Sequence, residues 1–183
     1  MRVWLVIGIF CSVLLVGLLA PMRVSAAPLP IINGADVPVG EQPWVVGILQ
    51  AAVSDDYLAQ FCGGTLIDRQ WVLTAAHCTF DEQGNAFRPT DLHVLVGGRE
   101  LRSNDGMRLT IDQIVRHPAF DALSYSHDIA LFHLATATTM APVELAEAKV
   151  DQLLVQAGQA MVVGWGVTQA GAGATILQRA QVP

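Results

Sequence analysis

A histidine and an aspartate, far apart in the sequence, are the side chains whose types and surroundings suggest chemistry. His77 lies in the string WVLTAAHC at residues 71–78, and Asp128 lies in the string HDIAL at residues 127–131. An imidazole oriented by a buried carboxylate is two thirds of the apparatus that activates a serine hydroxyl for attack on a carbonyl. His77 is therefore the candidate general base, and Asp128 is the candidate orienting acid.

The remaining third, a nucleophilic serine, has no candidate in the sequence. Ser124 and Ser126 are close to Asp128, but neither lies in the exposed, glycine-flanked turn that attack on a carbonyl requires. We therefore expect that neither serine is a nucleophile.

The elements that must position His77 and Asp128 are predicted to be strands. Apolar and β-branched runs, separated by Gly, Pro, Asn and Asp, predict strands at residues 44–49, 60–67, 71–74, 92–96, 108–116 and 129–134. This pattern is typical of an all-β barrel or sandwich. The segment that contains His77 is too short for a helix and predicts a helical turn after a strand. We expect Thr74, at the end of that strand, to support the turn through its hydroxyl.

The sequence changes character after the sixth predicted strand. Residues 136–159 are richer in Ala, Glu and Gln and predict a connection between two lobes. Strands at residues 160–163 and 177–182 would begin the second lobe. Between them, residues 170–174 (AGAGA) predict a flexible hairpin loop, because the Gly-Lys-Ser/Thr of a phosphate loop is absent.

In their order and spacing, several strings resemble segments of the trypsin/chymotrypsin-like serine proteases. The matching strings are IING at residues 31–34, QPWVV at 42–46, CGGTLI at 62–67, the two strings that contain His77 and Asp128, GWG at 164–166 and QVP at 181–183. The resemblance implies a trypsin-like double β-barrel, with His77 and Asp128 as two members of a Ser-His-Asp triad.

The resemblance also predicts that the domain is incomplete at its carboxyl-terminal side. The family's Gly-Asp-Ser-Gly-Gly string, which carries the nucleophile, does not occur before Pro183. The 153 residues from Ile31 to Pro183 also fall short of the roughly 200–250 that such β-barrel proteins often occupy. We therefore expect a complete first barrel and a second barrel that is only begun, in a chain that is inactive as given. A lobe stopped at this point would expose strand edges and apolar surface.

The amino-terminal segment has the layout of a secretory signal peptide. An apolar run at residues 3–20 follows Met1-Arg2, and small residues at 24–27 follow the run. We expect residues 1–26 to be removed and the protein to be secreted, to the extracellular space or the periplasm. An uncleaved membrane anchor is the alternative, because the run is near bilayer-spanning length. The processing-like site favours the signal peptide, and hence no stable membrane association after its removal.

Residues 27–30 are interpreted as a short pro-segment before Ile31. The resemblance implies that Ile31 is the mature amino terminus, whose free amine folds inward to order the active site. Because Pro30 precedes it, cleavage by a trypsin-like activator is not expected. Residues 27–28 and 29–30 are both X-Pro dipeptides, which suggests stepwise removal by a dipeptidyl peptidase. Sequencing of the mature amino terminus tests this hypothesis, which a stable start at Ala27 in an active form would reject.

The charge of the chain argues against a nucleic-acid partner. Removal of residues 1–26 takes away two of the ten basic residues and no acidic one, which leaves 8 basic against 16 acidic residues and a net charge of −8. Lys149 is the single lysine, and the arginines form no cluster that could follow a phosphate backbone. We expect peptide or protein substrates as the partners.

Cys62 and Cys78 remain as a pair once Cys11 leaves with the signal peptide. In an oxidising compartment this pair predicts a disulfide, and the resemblance implies that it ties the turn of His77 to the neighbouring strand. Zinc ligation by the two cysteines and His77 is the alternative, but the spacing fits no common zinc pattern and no fourth ligand is evident. The other four histidines show no ligand spacing and are interpreted as surface or strand residues: His93, His117, His127 and His133. We expect no cofactor and no metal.

These expectations combine into a secreted serine endopeptidase whose domain occupies residues 31–183. A non-catalytic protease homologue that acts as a binding protein is the alternative, although retention of His77 and Asp128 argues against it. A further possibility is complementation, in which a separate chain supplies the missing lobe.

Overall fold

The computed structural model describes residues 34–146, 158–168 and 171–182. The predicted signal peptide, the pro-segment and Ile31 lie outside the described residues, as does much of the predicted connection between the lobes. In the parts of the chain that the model describes, no helix is long and apolar enough to cross a membrane.

Six antiparallel strands close into a barrel. They are β2 (Val45–Gln50), β3 (Gln60–Asp68), β4 (Trp71–Thr74), β5 (Leu92–Val96), β6 (Met107–Arg116) and β7 (Ala130–Leu134). Around the barrel they follow the order β2-β3-β4-β7-β6-β5, with β5 hydrogen-bonded back to β2. Closure leaves this sheet without a free edge.

The barrel interior is filled by alternate residues of these strands, as expected for a sheet with one face on a core. Val46 and Ile48 on β2, Val94 on β5 and Phe132 on β7 are fully buried there. Residues of the opposite face are buried only where something covers the barrel from outside, as for Leu49 on β2.

The cover is a second, smaller sheet with the order β1-β9-β8. Its strands are β1 (Ala35–Asp36), β8 (Ala160–Gly164) and β9 (Gln178–Val182). Trp165 and Leu177, which flank strands of this sheet, pack with Leu49 and Leu95 on the outside of the barrel in a second apolar cluster. Trp165 Nε1 also donates a hydrogen bond of 3.0 Å to the Arg99 carbonyl oxygen.

The architecture confirms the predicted all-β fold, with one closed barrel and a second sheet that contains only part of a barrel. All eight predicted strands form, and most begin or end within one residue of the expected position. The predicted turn at residues 75–78 is a 3-10 helix at Ala76–Thr79. In the described segments, three elements were not predicted: strand β1, helix α1 (Asp56–Ala59) and a 3-10 turn at Pro89–Asp91.

Candidate active site

The 3-10 turn Ala76–Thr79 presents His77 at the end of strand β4. Hydrogen bonds from Cys78 N to the Ala75 carbonyl (3.3 Å) and from Phe80 N to the His77 carbonyl (3.2 Å) close the turn. The imidazole is on the outer side of the turn, with 48% of the side chain exposed. The turn therefore fixes the backbone of His77 and leaves its ring accessible.

Thr79 and Arg116 attach this turn to strand β6. The Thr79 hydroxyl donates to the Ala76 carbonyl at 2.7 Å, and it accepts from Arg116 Nε at 2.6 Å. Arg116 Nη2 also donates to the carbonyls of Thr79 and Phe87. Sequence analysis missed this anchor. The available signal was an arginine at the last position of a predicted strand, where its guanidinium requires several acceptors.

Asp128 reaches His77 because β4 and β7 are neighbours in the barrel. Thr74 at the end of β4 is paired with Ala130 at the start of β7, so the residues just beyond both strands meet. The His77 backbone N–H donates to Asp128 Oδ1 at 2.8 Å, and Asp128 Oδ2 lies 2.7 Å from His77 Nδ1. The model thus brings together the two predicted site residues.

The environment of Asp128 keeps its carboxylate ionised. Burial by itself would raise the pKa, but hydrogen bonds from the His77 imidazole and backbone N–H, the charge of His77 and the Ala76 backbone N–H together lower the pKa of Asp128 below its ordinary value. An ionised Asp128 accepts a proton-bearing Nδ1. In neutral His77 the lone pair is therefore on Nε2.

The expected disulfide joins Cys62 on β3 to Cys78 beside His77. His77 Nε2 lies 3.5 Å from Cys78 Sγ and 4.0 Å from Cys62 Sγ. The bridge therefore lies against the ring edge opposite Asp128. While it is closed, its sulfurs are not thiolates, the form in which cysteine binds a metal.

The loop between β6 and β7 places one aromatic ring against His77, and two histidine rings at this loop stack on each other. The rings of His117 and His127 stack with their centroids 4.7 Å apart, and Tyr125 packs edge-on against His77 at 5.8 Å. Tyr125 and His127 both have positive φ, 54° and 56°. Sequence analysis gave no role to Tyr125, because nothing local indicates that its ring reaches His77.

The two serines of this loop make hydrogen bonds of their own. Ser124 Oγ donates to Asp121 Oδ2 at 2.7 Å and lies 3.0 Å from Ser126 Oγ. No hydrogen bond joins either hydroxyl to His77 among the described residues. That neither is a nucleophile remains a prediction.

Thr74 acts on the neighbouring strand. Its buried hydroxyl donates to the Gly63 carbonyl on β3 at 2.9 Å. This bond joins the end of β4 to β3, the strand that carries Cys62. It therefore holds in place the end of β4 from which the turn of His77 begins.

The remaining histidines lie outside this pair. His133 Nδ1 on β7 lies 2.6 Å from Asp112 Oδ1, and the His133 ring packs against Trp71. The Nδ1 of His93 on β5 is buried, and no group of the described residues forms a hydrogen bond with it. The pKa of His93 is lowered by burial and by the charge of Arg108.

Comparison with known proteins agrees with the fold. The family model described as Trypsin matches residues 31–183. The chain is 35% identical over 154 residues to a trypsin of Saccharopolyspora erythraea, covering 84% of this chain and 63% of that protein. It is 34% identical over 139 residues to glucanase inhibitor protein 3 of Phytophthora sojae, covering 75% of this chain and 50% of that protein.

Among solved structures, the VesB protease of Vibrio cholerae is similar to this chain. The TM-score is 0.68 at 29% sequence identity, and the match covers 82% of this chain and 44% of that chain. The chain spans about half the length of the proteins it matches. With 153 residues in the family match, the chain belongs to the trypsin family of serine proteases.

Proposed function

We propose that this chain is the part of a secreted serine endopeptidase that carries the general base and its orienting carboxylate. The observation that carries the proposal is the double contact of Asp128 with His77, at 2.8 Å to the backbone N–H and 2.7 Å to Nδ1. This contact fixes the ring and its tautomer, as a general base requires. The substrates would be peptides or proteins.

In this mechanism a serine hydroxyl, supplied by a part of the protease fold for which this chain offers no candidate, attacks the carbonyl carbon of a peptide bond. His77 Nε2 takes the hydroxyl proton during attack and then gives it to the leaving amine. Water, deprotonated by the same nitrogen, hydrolyses the acyl-enzyme. Asp128 stabilises the imidazolium that forms in both steps.

The exposure of the imidazole supports this role. About half of the His77 side chain is exposed, whereas the Asp128 side chain is 22% exposed. A base must be open to the hydroxyl that it serves. Its carboxylate partner acts best where water does not screen it.

The test is the product of the complete reading frame that contains this chain. The nucleotides after the Pro183 codon first show whether the frame continues into Gly-Asp-Ser-Gly-Gly. Hydrolysis of peptide substrates and labelling by a fluorophosphonate are then measured for the wild type, His77→Ala and Asp128→Asn. We expect each substitution to lower kcat/KM by about 10⁴-fold or more.

The chain offers a matched control in its second histidine–carboxylate pair. His133 lies 2.6 Å from Asp112 on the outside of the barrel. His133→Ala should leave kcat/KM unchanged. Loss of activity in His133→Ala to the same degree, or full activity in His77→Ala, would contradict the proposed function.

A second candidate is a non-catalytic homologue that binds another protein. The observation in its favour is the 34% identity to a protein named as a glucanase inhibitor. A stop codon directly after Pro183, together with a folded chain that no fluorophosphonate labels, would favour this candidate.

Secretion is proposed on two grounds. A disulfide between Cys62 and Cys78 is typical of proteins that leave the reducing cytosol. The sequence of residues 1–26 has the layout of a signal peptide.

A further inference from the structure

Two arginines near the ends of strand β6 each hold a loop of the barrel. Arg108, near the start of the strand, donates to the Asp56 carboxylate and to two backbone carbonyls of the segment before helix α1. Arg116, at the end of the strand, donates to one hydroxyl and two backbone carbonyls beside the turn of His77. The contacts are similar in kind, but the loop that Arg116 holds is the one that follows the candidate general base.

Arg116 closes the neck of the segment at residues 79–87. Its Nη2 donates to the Thr79 carbonyl at 3.1 Å and to the Phe87 carbonyl at 2.8 Å. The Phe87 N–H donates to the same Thr79 carbonyl at 2.8 Å. One nitrogen therefore joins the two ends of the segment. Because Thr79 is the last residue of the 3-10 turn, these contacts also fix the end of the turn that presents His77.

An aromatic stack continues from Arg116 to the loop of Asp128. Arg116 Cζ lies 5.2 Å from the centre of the Phe80 ring, within the range of a cation–π contact. The Phe80 ring stacks on Phe120, with centroids 5.9 Å apart and an angle of 29° between the planes. Phe80 directly follows the turn of His77, and Phe120 lies in the β6–β7 loop that contains Asp128. The stack therefore joins the segment of the candidate base to the segment of its acid.

We propose that Arg116 is a positioning residue for His77. The fork of its guanidinium, together with the stacked rings of Phe80 and Phe120, holds the turn where His77 can make both contacts with Asp128. Arg116 acts through Thr79 and the backbone of the turn rather than on the imidazole. The effect on the position of His77 follows from geometry, whereas any effect on catalysis rests on the proposed function.

The acceptors explain why an arginine serves here. They are neutral oxygens, and a guanidinium offers several donors in one fixed plane. Burial lowers the pKa of Arg116, so a charge is costly at this place and depends on its acceptors. A lysine has a single nitrogen, which cannot occupy the positions of both Nε and Nη2.

The test uses the product of the complete reading frame, with its disulfide closed, and two readouts that need no activity. Nitrogen-15 NMR reports the tautomer of neutral His77, and amide hydrogen exchange reports the opening of its backbone N–H. In the wild type the ring proton should be on Nδ1 and the N–H should be protected, because both groups face Asp128.

Arg116→Met keeps the stem of the side chain and removes its donors. We expect the ring proton of His77 to distribute over both nitrogens, because the contact with Asp128 is no longer held. The His77 N–H should exchange about 10-fold faster or more, the effect of losing one hydrogen bond to a charged group.

Arg108→Met is the matched control. It removes the same fork from the same strand, and it should lower stability in urea by a similar amount. The tautomer of His77 and the exchange of its N–H should stay as in the wild type. Arg116→Lys keeps the charge but loses the fork, and it should behave as Arg116→Met does.

Milder substitutions keep the test decisive if Arg116→Met does not fold. Thr79→Val removes the hydroxyl that accepts Arg116 Nε with little change of shape, whereas Thr79→Ser keeps it. Phe120→Leu breaks the stack on Phe80. We expect Thr79→Val and Phe120→Leu to change both readouts in the same direction as Arg116→Met, and Thr79→Ser to change them far less.

In an active protein, Arg116→Met should also lower kcat by about 10- to 100-fold with little change in KM, because a small displacement of the base slows proton transfer. Three outcomes would overturn the proposal: a wild-type tautomer and exchange rate in folded Arg116→Met, wild-type behaviour of Arg116→Lys, and equal changes at His77 in Arg108→Met. An inactive wild type would reject the proposed function, and the two readouts at His77 would still decide the role of Arg116.

Discussion

Two histidine–carboxylate pairs of nearly equal length occur among the residues that the structure describes, yet their surroundings differ. His77 and Asp128 are 2.7 Å apart, and His133 and Asp112 are 2.6 Å apart. Asp128 is the better shielded carboxylate, since 22% of its side chain is exposed against 51% for Asp112. Asp128 also accepts the backbone N–H of His77, which ties ring and main chain to one group. The second contact and the shielding distinguish the candidate site, and the short distance alone does not.

His93 carries a prediction about pH at the residue scale. Its buried Nδ1 has no hydrogen-bond partner within residues 34–146, 158–168 and 171–182, and burial together with the charge of Arg108 lowers the pKa of His93. The unfolded chain therefore takes up this proton at a higher pH than the folded chain, so the stability that neutral His93 contributes is present above about pH 6.5 and is lost as the pH falls through the lower, folded pKa.

The measurement is urea unfolding of the wild type and of His93→Gln between pH 7 and pH 5. We expect the free energy of unfolding to fall with pH more steeply in the wild type than in the variant. All other titrating groups are common to both proteins, so the difference isolates His93. Parallel curves would refute the assignment.

At the scale of the elements, the sequence predicts each strand but not which strands are neighbours. A run of apolar and β-branched residues, as in β5 and β7, identifies a strand from local sequence alone. The pairing of Thr74 with Ala130, which brings Asp128 to His77, depends on closure of the whole barrel. Family resemblance supplied that contact in advance. Local pattern could not have done so.

Short elements and their side-chain contacts were also beyond the sequence. Helix α1 has one turn and depends on Asp55, whose carboxylate accepts the Leu58 N–H at 2.9 Å. The anchor of Arg116 on Thr79 joins residues from different strands and turns. Neither feature has an apolar period that a sequence pattern could detect.

Strand β3 carries an element-scale prediction at two consecutive glycines beside Cys62. A Cβ on Gly64 would lie 2.8 Å from Val72 Cγ1, 3.1 Å from the Leu73 carbonyl oxygen and 3.2 Å from Val46 Cγ2. A Cβ on Gly63 would meet nothing closer than 3.8 Å. We expect Gly64→Ala to destabilise the protein by about 1–3 kcal/mol, because β3 would be pushed from its neighbours.

Gly63→Ala is the matched control for this effect. It changes the same strand by the same methyl group, and it should change the free energy of unfolding far less. Urea unfolding of both variants in the oxidised chain measures the difference. An equal loss of unfolding free energy in the two variants would mean that the close contacts at Gly64 are not what makes a methyl group destabilising in this strand.

At the scale of the whole molecule, the two sheets differ in how they are stabilised. The barrel is closed and has its own core. The second sheet has three strands, and residues of β8 such as Met161 and Val162 are about half exposed. Its apolar contacts with the barrel are concentrated in the second cluster, where Trp165 and Leu177 meet Leu49 and Leu95. The barrel should therefore stay folded when a substitution detaches the second sheet from it.

Trp165→Ala tests this hierarchy. The substitution removes a side chain that is 4% exposed and its hydrogen bond to the Arg99 carbonyl, a change that typically costs about 3–5 kcal/mol. Because this cluster holds the sheet to the barrel, we expect amide hydrogen exchange to accelerate in β9 while the barrel strands keep their protection. Met161→Ala, on an exposed face of the same sheet, should change amide hydrogen exchange neither in β9 nor in the barrel strands. Uniform loss of protection in Trp165→Ala would instead mean that barrel and sheet unfold as one unit, with Trp165 as part of a common core.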